Sequence, residues 1–259
     1  MAAASPPLSL DEVGQNKGPV IVGASVAAIS VATIFVFARL YVRARILCKF
    51  HLDDYLIVFS WLCAWATVGI TIAAVDAGMG RHQATLTPSQ ISQVRLLTLC
   101  SFIPGLLSFG VPKLAVVALL TRVLNLSAPR WHNIFLWVLT GLCNAVLCAA
   151  GILAFAQCSP PRMQWDLGVK GQCLSPWILI HYSMFSSGFS AFVDLYLTVY
   201  PGLVLSQLKI SRLNKTALSF ALIMGILGSA VAIYKCVRLS DLANPDSTYA
   251  TGELIIWTM

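Results

Sequence analysis

Charge is what this sequence has least of. Only 10% of its 259 residues are Asp, Glu, Lys or Arg, while 58% are hydrophobic; a soluble domain carries about 25% charged residues. So few charges cannot cover the surface of a chain this size in water, which excludes a water-soluble globular protein. A long basic run is also missing. The formal net charge is +7, but the Lys and Arg residues stand in short clusters between apolar segments, a pattern that speaks for membrane topology and against a nucleic-acid partner. None of the eight cysteines forms a CxxC pair, which removes the usual structural zinc arrangement, and no metal is expected. Residues 1–18 contain Asp11, Glu12 and Lys17 but no basic segment followed by an apolar one. No cleaved signal peptide is therefore expected, and with Pro6-Pro7 the segment reads as a short disordered extracellular or lumenal tail.

Long apolar runs are what the chain has instead. Spanning the hydrocarbon takes about 20 apolar residues, and such runs predict helices over about 19–42, 54–76, 96–121, 133–157, 177–205 and 216–238. After the turn signal Asn244-Pro245-Asp246, a seventh helix opens over about 250–259. Its apolar run, Leu254 to Met259, is too short to cross a bilayer, so the expectation is a truncated copy or a chain that recruits a partner helix. The fold class is therefore all-α, a multi-pass transmembrane helical bundle of six full helices with a seventh that is truncated. Arg39, Arg43, Arg45, Lys49, Arg122, Arg130, Lys209, Arg212 and Lys215 crowd three short connections, and the other side carries seven basic residues over a tail and longer loops. Dense basic loops face the cytosol, so the N-terminus is expected outside, with Arg43, Arg130 and Arg212 inside. Asn125 and Asn214 match the glycosylation pattern but fall in loops placed in the cytosol, so neither is expected to carry glycan.

Three groups of residues are candidates for chemistry. His51-Leu52-Asp53-Asp54 enters the second helix: the carboxylates suit a cation or diphosphate, or the N-cap and first turn of a helix. Lys113 and Asp194 are charges deep in apolar segments, where such groups pair or line a wet cavity. Lys113 lies nine positions before Arg122, about 13 Å along the helix at 1.5 Å per residue, and Asp194 lies as far before Leu203. The matching depth predicts an intramembrane charge pair, either a structural tie or a ligand or proton site. Cys158 and Cys173, fifteen positions apart in one loop, predict a disulfide, with Cys100 as the competing partner.

In order along the chain, Arg39-Leu40-Tyr41-Val42-Arg43, Asp53-Asp54-Tyr55-Leu56, Gly78-Met79-Gly80-Arg81-His82, Pro112-Lys113-Leu114, Arg122, the Cys158-to-Cys173 loop, Asp194-Leu195, Pro201, Lys215 and Arg238-Leu239 resemble the fungal rhodopsin-domain membrane proteins, the group that includes a satratoxin-cluster membrane protein and fungal receptor-like proteins. The resemblance implies a seven-helix, rhodopsin-like architecture, of which this chain only begins the seventh helix, and marks Arg39, Arg43, Asp53, Asp54, Gly78, Gly80, His82, Pro201 and Arg238 as motif positions. It does not bring a chromophore. A retinal protein needs a Schiff-base lysine, usually in its seventh helix, and no lysine lies between Arg238 and Met259, so no cofactor is expected.

Two functions follow. A receptor-like or accessory role, linked through the resemblance to fungal secondary metabolism, fits the topology, the disulfide loop and the basic loops; its partners would be the bilayer and a small apolar ligand. The alternative is an integral-membrane enzyme of cyclase or isomerase type acting on an apolar metabolite, with Asp194, His181 or Glu253 as acid. Transport has little support, because no internal repeat is seen.

Overall fold

A computed structural model describes residues 17–48, 50–81, 85–124, 130–166 and 168–206. The segments expected to form helices over 216–238 and 250–259 lie outside the described residues, as do His82, Asn125, Arg212, Asn214, Lys215, Arg238 and Glu253.

The first helix, α1 (Gly18–Tyr41), has proline in its first turn and Arg39 in its last. It does not stop there. The chain continues as a π-helical segment, Val42–Leu47, and turns at Cys48, whose φ of 49° is left-handed. Arg43 and Arg45 therefore stand on a helical extension, which corrects the expectation of an open loop after residue 42. Basic side chains favour the negative end of a helix, and a left-handed residue is a common way to close one.

Helix α2 (Leu52–Asp76) begins with a capping box built on His51 and Asp54. The His51 amide donates to Asp54 Oδ2 at 3.1 Å, which pairs an N–H that the helix start leaves over. At its far end the chain turns through Gly78 and Gly80, with φ of 118° and 91°. The Lys17 amide donates to the Gly80 carbonyl at 3.1 Å, and a Cβ on Gly80 would lie 2.8 Å from the Gly18 nitrogen. Glycine is needed there for both φ and space. Between the two glycines, Met79 is buried with Ile21, Ala74 and Val94, so this motif joins the start of α1 to α2 and to the helix that follows.

Helix α3 (Pro88–Leu124) is 37 residues long, and it starts at residue 88, not 96. The signal was a capping box, Thr87-Pro88-Ser89-Gln90. The Thr87 amide donates to Gln90 Oε1 at 3.0 Å and the Gln90 amide to Thr87 Oγ1 at 3.4 Å, with proline at the first helical position. An apolar-run search misses these polar turns, because a helix of this length, about 55 Å, outruns a hydrocarbon core of about 30 Å.

Helix α4 (Arg130–Phe155) leads to a two-residue strand, β1 (Cys158–Ser159). This pairs antiparallel with β2 (Gln172–Cys173), which sets Cys158 opposite Cys173, and α5 (Pro176–Ser206) follows. Successive helices run in alternating directions and pack on one another. One end of the bundle carries the arginines of α1 and the other the disulfide loop. Among the described residues, four helical segments, Gly18–Arg45, Leu52–Asp76, Pro88–Arg122 and Trp131–Phe155, are long and apolar enough to cross a membrane.

The distribution of side chains is inverted relative to a soluble protein. Asp53, Asp54 and Lys113 are buried, whereas Ile34 and Ile152 keep 68% and 69% of their surface exposed. Such an outer face suits lipid and not water. The main apolar core, Val117, Leu120, Leu136, Cys143, Leu147, Val193 and Leu197, binds α3, α4 and α5 together.

Candidate functional site

Two charge centres lie in the bundle. At the arginine end, Arg39 and Arg43 are four residues apart and share a helix face. They meet Asp53 and Asp54, adjacent in the first turn of α2. Arg39 donates to Asp53 Oδ2 at 2.8 Å and to Asp54 Oδ1 at 3.3 Å. Arg43 reaches the same two oxygens at 3.2 and 3.4 Å. Each guanidinium bridges both carboxylates, so four charges cancel in one network, and Asp53 and Asp54 are 2% and 1% exposed.

The ligand atoms of His51, Asp53 and Asp54 lie within 4.8 Å of one another, close enough for the cation that the paired carboxylates suggest. Both carboxylates are already engaged by guanidinium groups, and Asp54 also closes the capping box. The geometry is that of a clamp between α1 and α2. Reading the motifs separately missed this pairing; the signal was an i,i+4 arginine pair a short turn away from an aspartate pair.

The second centre is at mid-bundle. Lys113 Nζ on α3 and Asp194 Oδ1 on α5 form a close ion pair. The Lys113 ammonium also lies 4.4 Å from the centre of the Phe109 ring, a cation–π contact. Lys113 is 5% exposed, but the Asp194 side chain keeps 31% of its surface. That surface faces a cavity of about 300 Å³, whose lining includes Ser108, Phe109, Pro112, Leu197 and Thr198. Pro112 has no N–H, so the carbonyl of Ser108, four residues earlier in α3, lacks its ordinary helical donor. Among the described residues, Lys113 and Asp194 are the only titratable groups lining this cavity. His181, considered as an acid, is exposed on α5 beside Trp177, 5.9 Å between ring centres, and does not line it.

A second cavity, about 520 Å³, lies between α3 and α4 towards the disulfide end and is lined by Leu106, Gly151, Phe155 and other apolar residues. Above it, Cys158 and Cys173 form the disulfide, and Cys100 is a free, exposed thiol. Gly78 and Gly80 form the turn described above, and Pro201 lies within α5.

The fungal rhodopsin domain is matched across residues 38–259. A SAT4 family membrane protein of Emericella nidulans is 28% identical over 181 residues, which cover 70% of this chain and 47% of that protein. The chain thus spans about half the length of the curated relative it matches. No solved structure matches it. Long apolar helices, inverted burial and a match over most of the sequence lead to one assignment: the chain is an integral, multi-pass membrane protein that belongs to the fungal rhodopsin domain family.

Proposed function

We propose that the protein is receptor-like: a helix bundle that takes up a small apolar ligand and answers by shifting α3 against α5. The observation that supports this is the Lys113–Asp194 ion pair, which joins those two helices and opens onto a cavity instead of being sealed by packing. A ligand changes a conformational equilibrium only through contacts that differ between the states. A charge pair at the wall of a binding cavity supplies such contacts, because its strength depends steeply on local polarity. In this reading the N-terminus is extracellular or lumenal, no chromophore takes part, and the role stands beside fungal secondary metabolism, as the family resemblance suggests.

Deleting the gene tests the reading. The expected outcome is an unchanged profile of apolar metabolites together with a lost response to an external cue. Accumulation of one apolar precursor would sink it in favour of a membrane enzyme.

A further inference from the structure

We infer that the cavity between α3 and α5 is a site for a neutral, mostly apolar molecule bearing a hydroxyl group, held by donation of that hydroxyl to Asp194. This rests on the receptor reading for its biological sense, but the chemistry follows from the cavity. Its volume, about 300 Å³, is at the small end of the range of about 300–1,000 Å³ for small-molecule sites. Its apolar wall comes from Phe109, Pro112, Val116 and Leu197.

The polar groups in the lining are biased towards accepting. Asp194 Oδ1 takes the Lys113 ammonium, and among the described residues no donor reaches Oδ2. The Ser108 carbonyl lacks its helical donor because of Pro112. The two hydroxyls in the lining have already spent their protons, Ser108 on the Gly105 carbonyl at 2.8 Å and Thr198 on the Asp194 carbonyl at 2.7 Å. This carboxylate oxygen faces the cavity with its accepting capacity unspent, and a ligand O–H can pair it.

Charge selects neutrality. Lys113 and Asp194 cancel, so an anionic ligand would meet the exposed carboxylate oxygen, and a cationic one a carboxylate already neutralised by the ammonium. Either would also lose its hydration for little net attraction. A neutral alcohol loses far less on leaving water.

The test places the full chain in lipid nanodiscs and titrates four probes of one skeleton: naphthalenemethanol, methylnaphthalene, naphthoic acid and naphthylmethylamine. Partition into empty nanodiscs is subtracted. The alcohol is expected to bind at least about tenfold tighter than the other three, the scale of one hydrogen bond to a charged acceptor. In the double variant Lys113→Met with Asp194→Leu, its advantage over the hydrocarbon should vanish. Val116→Phe, which fills the cavity without touching the charges, should weaken alcohol and hydrocarbon together. If the double variant does not fold, undiminished alcohol binding to Val116→Phe overturns the proposal. So do equal affinities for alcohol and hydrocarbon, tightest binding of the acid or the amine, or no saturable binding of any probe. Selective alcohol binding with an unaffected response in the deletion strain would sink the receptor reading and leave this one standing; a lost response with unselective binding would do the reverse.

Discussion

The two charge centres bury similar groups and differ in what they leave over. At the arginine end, two guanidiniums face two carboxylates, and both aspartates are almost wholly enclosed. At mid-bundle a single ammonium meets a single carboxylate beside a cavity, and one carboxylate oxygen has no donor among the described residues. A doubly bridged, enclosed network fastens helices. A single pair whose carboxylate faces a cavity fastens less and can still bind. The difference teaches that burial of a charge does not by itself mark function; an accessible carboxylate beside a cavity does.

The largest effect expected from breaking this contrast is that of Asp54→Ala. It removes a partner of both arginines and half of the capping box, and stranding buried charge costs about 3–5 kcal/mol. The apparent unfolding temperature in detergent should fall steeply, with loss of monodisperse protein. Near-normal stability would show that the clamp does not fasten α1 to α2.

A charge-free tie gives the yardstick. Replacing Cys158 and Cys173 by serine opens a 15-residue separation, worth about 3 kcal/mol for a loop of that size. The unfolding temperature should drop towards that of the reduced wild type, and reduction should then have no further effect on the variant.

Lys113→Met should cost less than either, about 2 kcal/mol, because the partly exposed Asp194 has the cavity in which to hydrate or take up a proton. Adding Asp194→Leu should restore most of the loss. If the single variant falls as far as Asp54→Ala, or the double variant is no better than the single, the contrast between the centres fails.

The smallest perturbation uses a native thiol. Cys48 is exposed beside the clamp. With a cytosolic arginine end, a membrane-impermeant maleimide should modify it only after permeabilisation, as read by peptide mapping. Labelling in intact cells would reverse the orientation and put the clamp on the outer face.

Much of this arrangement was legible in the residues. Apolar length located the helices of the described region because the bilayer sets a minimum span. Equal depth from the ends of two helices was enough to put Lys113 and Asp194 at one level. The start of α3 was not found, since polar capped turns beyond the hydrocarbon carry no apolar signal, although Thr87 and Gln90 carried a capping one. The clamp was not found either. Arginines and aspartates in neighbouring motifs read as separate end signals until the π-helical extension and the left-handed turn at Cys48 bring them face to face.

What the sequence determined by itself is therefore one-dimensional: which segments lie in lipid, where each charge sits along its helix, and which cysteines share a loop. Solvent sets these, because lipid penalises every charge and every unpaired backbone group residue by residue. The tertiary structure decided which charges are enclosed, where the cavity lies, and that Asp194 lines it. Those outcomes depend on the rotation of each helix about its axis and on the packing of its neighbours, which apolar helices in lipid settle by mutual fit and not by a hydrophobic stripe.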